Sequence, residues 1–146
     1  MKFSLKGFIQ SGCLGPIGLG ASRKSVERSL GPPDDFSVEN LWKNRKPKIL
    51  KYGGVEFYFS EYDDHVEMIY IDDFDRTSAL IDLWILNDDL LLTETERELR
   101  DENIEYKKVD VPYLPGDICL ITKAGVNFQF HEEEGEAPKL VAIFKN

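Results

Sequence analysis

The chain is poor in the residues that carry most catalytic and metal chemistry. Of its 146 residues two are cysteine, Cys13 and Cys119, and two are histidine, His65 and His131. Two cysteines this far apart make no disulfide framework, so reduced thiols, buried or half-buried, are expected. Neither histidine has a second His or Cys at ligand spacing, which excludes a local zinc motif; both fall beside expected hairpin tips and read as surface turn residues. Asp72-Asp73-Phe74-Asp75 is acidic, yet it lacks the glycine and the terminal glutamate of a calcium loop. Long apolar runs are also missing. The richest, Leu80 to Leu92, is broken by Asp82, Asn87, Asp88 and Asp89, well short of the roughly 18 apolar residues of a spanning helix. Lys6, Gly7, Gln10 and Ser11 interrupt any apolar stretch near the N-terminus, so no export signal is read there and a cytoplasmic location is expected. Positive charge is scarce: 18 Lys and Arg face 27 Asp and Glu, a net charge of −9. Nonspecific nucleic-acid binding, which rests on cations neutralising phosphates, is thereby disfavoured. So is docking on an anionic membrane. A basic protein partner is compatible, because opposite fields steer encounter.

What the sequence does contain is internal similarity. Ile49 to Phe59 reads like Leu120 to Phe130, at an offset of 71 residues, with Gly54 on Gly125, Val55 on Val126, Phe57 on Phe128 and Phe59 on Phe130. Each copy predicts two strands joined by a tight turn. Gly53-Gly54 supplies the positive φ a two-residue hairpin needs, and Gly125 the left-handed position of a slightly longer turn. Beyond the turns the pattern alternates: Val55, Phe57 and Phe59 against Glu56 and Tyr58, and Val126, Phe128 and Phe130 against Asn127 and Gln129. Period two marks half-buried antiparallel strands. A third strand follows in each copy, Val66 to Ile71 and Lys139 to Phe144. A short helix precedes each, one capped by Ser22 and stopped by Gly31-Pro32-Pro33, the other capped by Thr93 with Glu96 completing a capping box. Val26 and Leu30 match Thr95 and Leu99.

The expected fold class is therefore α+β: a single domain over 1–146 made of two tandem helix-plus-antiparallel-sheet repeats, 20–74 and 91–146, sharing one core. An N-terminal strand or arm (Phe3 to Ile9) precedes them, and a linker bearing Trp84 lies between. Neither sheet can hide its apolar face alone, so edge-to-edge joining or wrapping around a common core is expected, with the helices on one side.

The helix and turn residues Ser22, Val26, Leu30, Gly31, Pro33 and Asp34, followed by an antiparallel sheet, resemble the β-lactamase-inhibitor-protein-like superfamily. That superfamily includes tandem two-unit inhibitors and small lipidated outer-membrane proteins. Taken with the Lys51 to Phe57 hairpin, the Ile71-Asp72-Asp73-Phe74 strand end and Trp84, the layout is also similar to small bacterial immunity-type proteins of toxin loci. The resemblance implies a fold and a protein-binding role, not a reaction.

No catalytic residue, cofactor site or metal site is expected. The nearest approach to a phosphate loop, Gly18 to Ser25, has Arg23 where a P-loop requires glycine before the lysine. The leading expectation is a non-catalytic inhibitor or immunity-type protein that occludes a protein partner, with a basic toxin compatible in charge, through an acidic, tyrosine-bearing sheet face. Glu56 and Tyr58 would provide that face, with Asp72, Asp73 and Asp75 at the strand end. The alternative is a small-ligand or regulatory module with an apolar pocket between the repeats near Trp84. A third is self-association through an exposed sheet edge.

Overall fold

The computed structural model describes residues 2–37, 46–87 and 89–146. The loop expected between the first helix and its sheet runs into residues 38–45 and so lies partly outside them. A two-residue strand, β1 (Phe3–Ser4), leads directly into helix α1 (Leu5–Ser11). The expected N-terminal strand is thus mostly helix. Leu5, Phe8 and Ile9 lie on one helical face and are fully buried. Ser4 accepts a hydrogen bond from Gly7 N at 3.0 Å, and Gly12 ends the helix at φ 80. Cap and stop thus outweigh the interruption by Gly7.

Helix α2 (Arg23–Leu30) follows, capped by the Ser22 side chain and stopped at Gly31 as its sequence foretells. Then come β2 (Asp35–Phe36), β3 (Ile49–Tyr52), β4 (Val55–Phe59) and β5 (Val66–Ile71). A single turn of helix, α3 (Phe74–Thr77), and β6 (Ile81–Asp82) lead into α4 (Leu92–Asp101). Four strands complete the chain: β7 (Tyr106–Asp110), β8 (Asp117–Thr122), β9 (Asn127–His131) and β10 (Lys139–Lys145). Helix α4 begins before Thr93, and Leu91 is its N-cap residue. A Glu94 carboxylate oxygen accepts from Leu91 N at 3.1 Å, so the expected Thr93–Glu96 capping box does not form.

The fold is α+β, with four helices among the described residues and an eight-stranded antiparallel sheet in the order β2-β3-β4-β5-β10-β9-β8-β7. β1 and β6 form a separate parallel pair. The central seam is β5 against β10, where Tyr70 stands opposite Phe144, and Ile71 and Ile69 face Ile143 and Lys145. Both strands that meet there carry a bulge. Glu67 is skipped between the pairs Phe59–Val66 and Tyr58–Met68, and Val141 between Phe130–Leu140 and Gln129–Ala142. Pairing also corrects the alignment read from sequence. Leu50 faces Phe57, and Leu120 faces Phe128, so Leu120 and not Ile121 occupies the place of Leu50. The second turn holds one more residue, Lys123 to Gly125. A slip of one would have turned the whole of β8 inside out, and Leu120 is fully buried.

Phe57, Phe59, Phe128 and Phe130 are buried to within 1%, each contributing about 1.5–3 kcal/mol by removal from water. They share one hydrophobic cluster with Phe8 of α1, Val26 of α2 and Leu99 of α4. The helices therefore cover that face of the sheet, and the opposite face carries Glu56, Tyr58, Tyr70 and Phe144. Among the described residues no helix is long and apolar enough to cross a membrane.

Candidate protein-binding face

The face opposite the helices is built by the pleat. Since Phe57 and Ile69 point into the core, their strand neighbours Glu56, Tyr58, Met68 and Tyr70 point away from it. The two-residue turn at Gly53-Gly54 sets Lys51 opposite Glu56, and Glu56 opposite Tyr70. Lys51 Nζ lies 3.2 Å from one Glu56 carboxylate oxygen, and Tyr58 Oη donates to the other at 2.9 Å. This hydrogen bond and burial hold the Tyr58 hydroxyl protonated, its pKa pushed well above the usual tyrosine value, burial being the larger cause. Tyr70 is raised too, by burial and then by the Asp72 and Glu56 carboxylates. Its ring stacks on Phe144 across the central seam, with centroids 6.0 Å apart at 27°.

Past the end of β5 the chain turns sharply. Asp72 stays on the outer face, where shielding from water, then Glu56, then Asp73 raise its carboxyl above the ordinary range. Asp73 caps α3 by accepting from Arg76 N at 3.1 Å. A cleft of about 400 Å³ lies here, lined by Lys51, Glu56, Asp72, Asp73 and Arg76 around the Gly53-Gly54 turn.

Four of the five expected partner-binding residues are thus brought together: Glu56, Asp72 and Asp73 around one cleft, and Tyr58 hydrogen-bonded to Glu56. Asp75 is exposed on α3 but does not line the cleft. Nor is the patch uniformly acidic, because Lys51 and Arg76 offset part of its charge. Lys51 and Tyr70 were within reach of sequence reasoning: a two-residue turn pairs 51 with 56, and period two puts Tyr70 beside Asp72. Phe144 was not, because the β5–β10 seam joins residues far apart in the chain.

On the same face in the second half, Gln129 Nε2 donates to Asp117 Oδ2 at 2.6 Å, and His131 Nδ1 is closely bonded to Asp117 Oδ1. His131 is therefore a strand residue anchored to a buried carboxylate, not a turn residue. Cys119 is buried, and burial together with Asp117 raises its thiol pKa, which disfavours the thiolate needed for nucleophilic work. Cys13, expected to be at least half-buried, is exposed. Among the described residues no group of three or more His, Cys, Asp or Glu is placed to hold a metal ion. Trp84 sits at φ 56, packed on the core with Lys6 Nζ 5.9 Å from its ring centre. The clefts at residues 23–76 and 105–141 do not include it.

Comparison of the chain with protein-family models, with curated proteins and with solved structures found no match.

Proposed function

We propose that this chain is a non-catalytic, cytoplasmic protein-binding module of the inhibitor or immunity type, acting by occlusion of a basic partner. The observation that carries the reading is the face at Glu56, Tyr58, Tyr70 and Asp72, where two tyrosines and Glu56 sit on the paired strands β4 and β5 and Asp72 follows directly at the end of β5. Tyrosines provide contact area at low entropic cost, and a rigid strand pair limits what is lost on binding. The net charge of −9 favours a partner of opposite sign and fast, salt-sensitive encounter.

The same reading treats the chain as two tandem repeats sharing one core. Three features support it. The strand order runs inward from both edges to β5 and β10. The bulges at Glu67 and Val141 fall at corresponding places in the two halves. Each of α2 and α4 also bridges, through its N-cap residue, to the chain at the start of the last strand of its half, Ser22 to His65 and Leu91 to Lys139.

The test is association kinetics of the isolated partner with the wild-type chain and with Glu56→Lys and Asp72→Lys. Slower association at low salt, converging with wild type as salt rises, supports the face; unchanged kinetics and affinity in both variants remove it.

A further inference from the structure

Arg23 opens α2, at the end where a helix dipole disfavours a cation, yet it is only 8% exposed. Its Nε donates to both Asp64 carboxylate oxygens at 3.0 and 3.2 Å, and its Nη2 to Asp64 Oδ1 at 2.7 Å and to the Pro47 carbonyl at 2.6 Å. The guanidinium lies 4.2 Å from the centre of the Phe59 ring. Desolvation offsets much of what such an ion pair contributes to stability, so its clearest effect is geometric. It fixes the tip of the β4–β5 hairpin, residues 60–65, from outside. Asp64 is held there at φ 56. The tip is also bonded within itself. Asp64 N donates to the Ser60 carbonyl at 3.1 Å, Ser60 N to the His65 carbonyl at 2.8 Å, Tyr62 N to Ser60 Oγ at 3.2 Å and His65 N to Asp63 Oδ1 at 3.2 Å.

On this braced turn Tyr62 is 99% exposed, and Glu61 and Asp63 are exposed on either side of it. Tyrosine is among the residues that carry most binding energy at interfaces, and a tip already ordered loses little freedom when it docks. On the repeat reading, the corresponding tip of the second half is 132–138. It has no aromatic residue, and among the described residues its one ion pair is the local Lys139–Glu136 contact at 3.5 Å. Among the described residues, therefore, the brace and the tyrosine occur together and in one half only.

We propose that this tip is a preformed insertion element: Tyr62 enters an apolar pocket of the protein partner, and Glu61 and Asp63 meet basic residues at the pocket's rim. The inference rests on the protein-binding reading and gives it an anchor. The tip ends the same strand pair, β4 and β5, that carries the Glu56–Asp72 face. A convex anchor suits occlusion, because it blocks a partner's site by filling it, and the flanking carboxylates match a basic rim. Arg23 and Asp64 are positioning residues that act through the geometry of the tip.

The experiment has two arms. The first is ¹⁵N relaxation on the full chain alone. The Tyr62 amide should show an order parameter of about 0.8 or more, falling below about 0.6 in Arg23→Met, which removes the brace and leaves the sequence of the tip intact. The second is capture from the native host on wild-type and variant baits. Tyr62→Ala should retain the basic protein held by the wild-type bait at least about tenfold more weakly, and Tyr62→Phe, which keeps the ring, within about threefold. Glu61→Lys/Asp63→Lys should release it at low salt. Tyr113→Ala is the control, since Tyr113 is 82% exposed but lies between Pro112 and Pro115 with no brace or flanking charge; it should behave as wild type. The proposal is overturned by a mobile Tyr62 amide in the wild type, by an amide that stays rigid in Arg23→Met, or by a wild-type bait that captures no protein. It is equally overturned if Tyr62→Ala or the charge reversal retains the protein as wild type does, or if Tyr62→Phe or Tyr113→Ala loses it as Tyr62→Ala does. Retention by Tyr62→Ala with release by Glu56→Lys/Asp72→Lys removes the tip and leaves the face standing; the converse keeps the tip and removes the face.

Discussion

Substituting Gly54 by alanine isolates the steric demand at the base of the proposed binding face. Gly54 brings the β3–β4 turn against the first turn of α3. A Cβ there would overlap the Asp73 carbonyl oxygen and Thr77 Oγ1, and would stand 2.7 Å from the Asp73 carbonyl carbon, where carbon atoms prefer about 3.5–4.0 Å. Neither neighbour can swing aside. One is the backbone of the residue that caps α3, and Thr77 is fully buried with its Oγ1 donating to the Asp73 carbonyl at 2.6 Å. Helix α3 must therefore shift, weakening that hydrogen bond and the Asp73 cap, about 1 kcal/mol each. Overpacking adds about 1–3 kcal/mol, and a stiffer unfolded chain returns about 0.4–1 kcal/mol. The net expectation is a loss of about 3 kcal/mol. Gly135→Ala is the control. It lies at φ 79 with nothing within 4 Å of an added Cβ, so only the left-handed penalty of about 1–2 kcal/mol applies. Urea unfolding followed by far-UV circular dichroism reads both. With a slope of about 2 kcal/mol/M, the midpoints should fall by about 1.5 M for Gly54→Ala and by about 0.5–1 M for the control. If Gly54→Ala is no more destabilising than Gly135→Ala, the packing of α3 against the turn is not as described.

Two further outcomes follow from titration. Arg23 holds the Asp64 carboxyl below the usual carboxylate range, chiefly by hydrogen bonding. A depressed pKa contributes stability that is present above the unfolded value and lost as pH falls through the folded one. Asp64→Asn should cost about 1–2 kcal/mol at pH 7, discounted for its partial exposure. That cost should fade as acid protonates the wild-type carboxyl, which urea midpoints measured from pH 7 downward will check. Burial, and then Glu27 and Asp34, raise Tyr52 to about 12, while its hydroxyl donates to the Gly31 carbonyl at 2.9 Å. A raised pKa means stability that is full below the unfolded value of about 10 and declines as pH rises toward the folded one. Phenolate absorbance should therefore show a component near pH 12 that Tyr52→Phe removes.

The two hairpins were legible because glycine turns and period-two alternation are local signals. Val55, Phe57 and Phe59 are buried as their spacing requires, and so are Val126, Phe128 and Phe130. The slip between Leu50 and Leu120 arose because sequence similarity cannot see an extra turn residue, whereas the pairing with Phe57 and Phe128 can. Helix α1 was missed because Gly7 and Lys6 mask a short apolar stripe whose helical state depends on its Ser4 and Gly12 caps. The face at Glu56 and Tyr58 was readable from alternation. Its partial neutralisation by Lys51 and Arg76 was not, since charge lists carry no distances. Arg23 was legible only as the residue that spoils a phosphate loop. Its burial depends on Asp64 and Phe59, which reach it from a distant hairpin tip.

The most direct test of the central claim is a paired capture from the native host, using tagged wild-type chain and a Glu56→Lys/Asp72→Lys variant whose circular dichroism matches wild type. Eluates are compared by mass spectrometry at low and moderate salt. One stoichiometric basic protein is expected on the wild-type bait, released as salt rises and absent from the variant at either salt. A protein retained equally by both baits, or a wild-type bait that captures none, would contradict it.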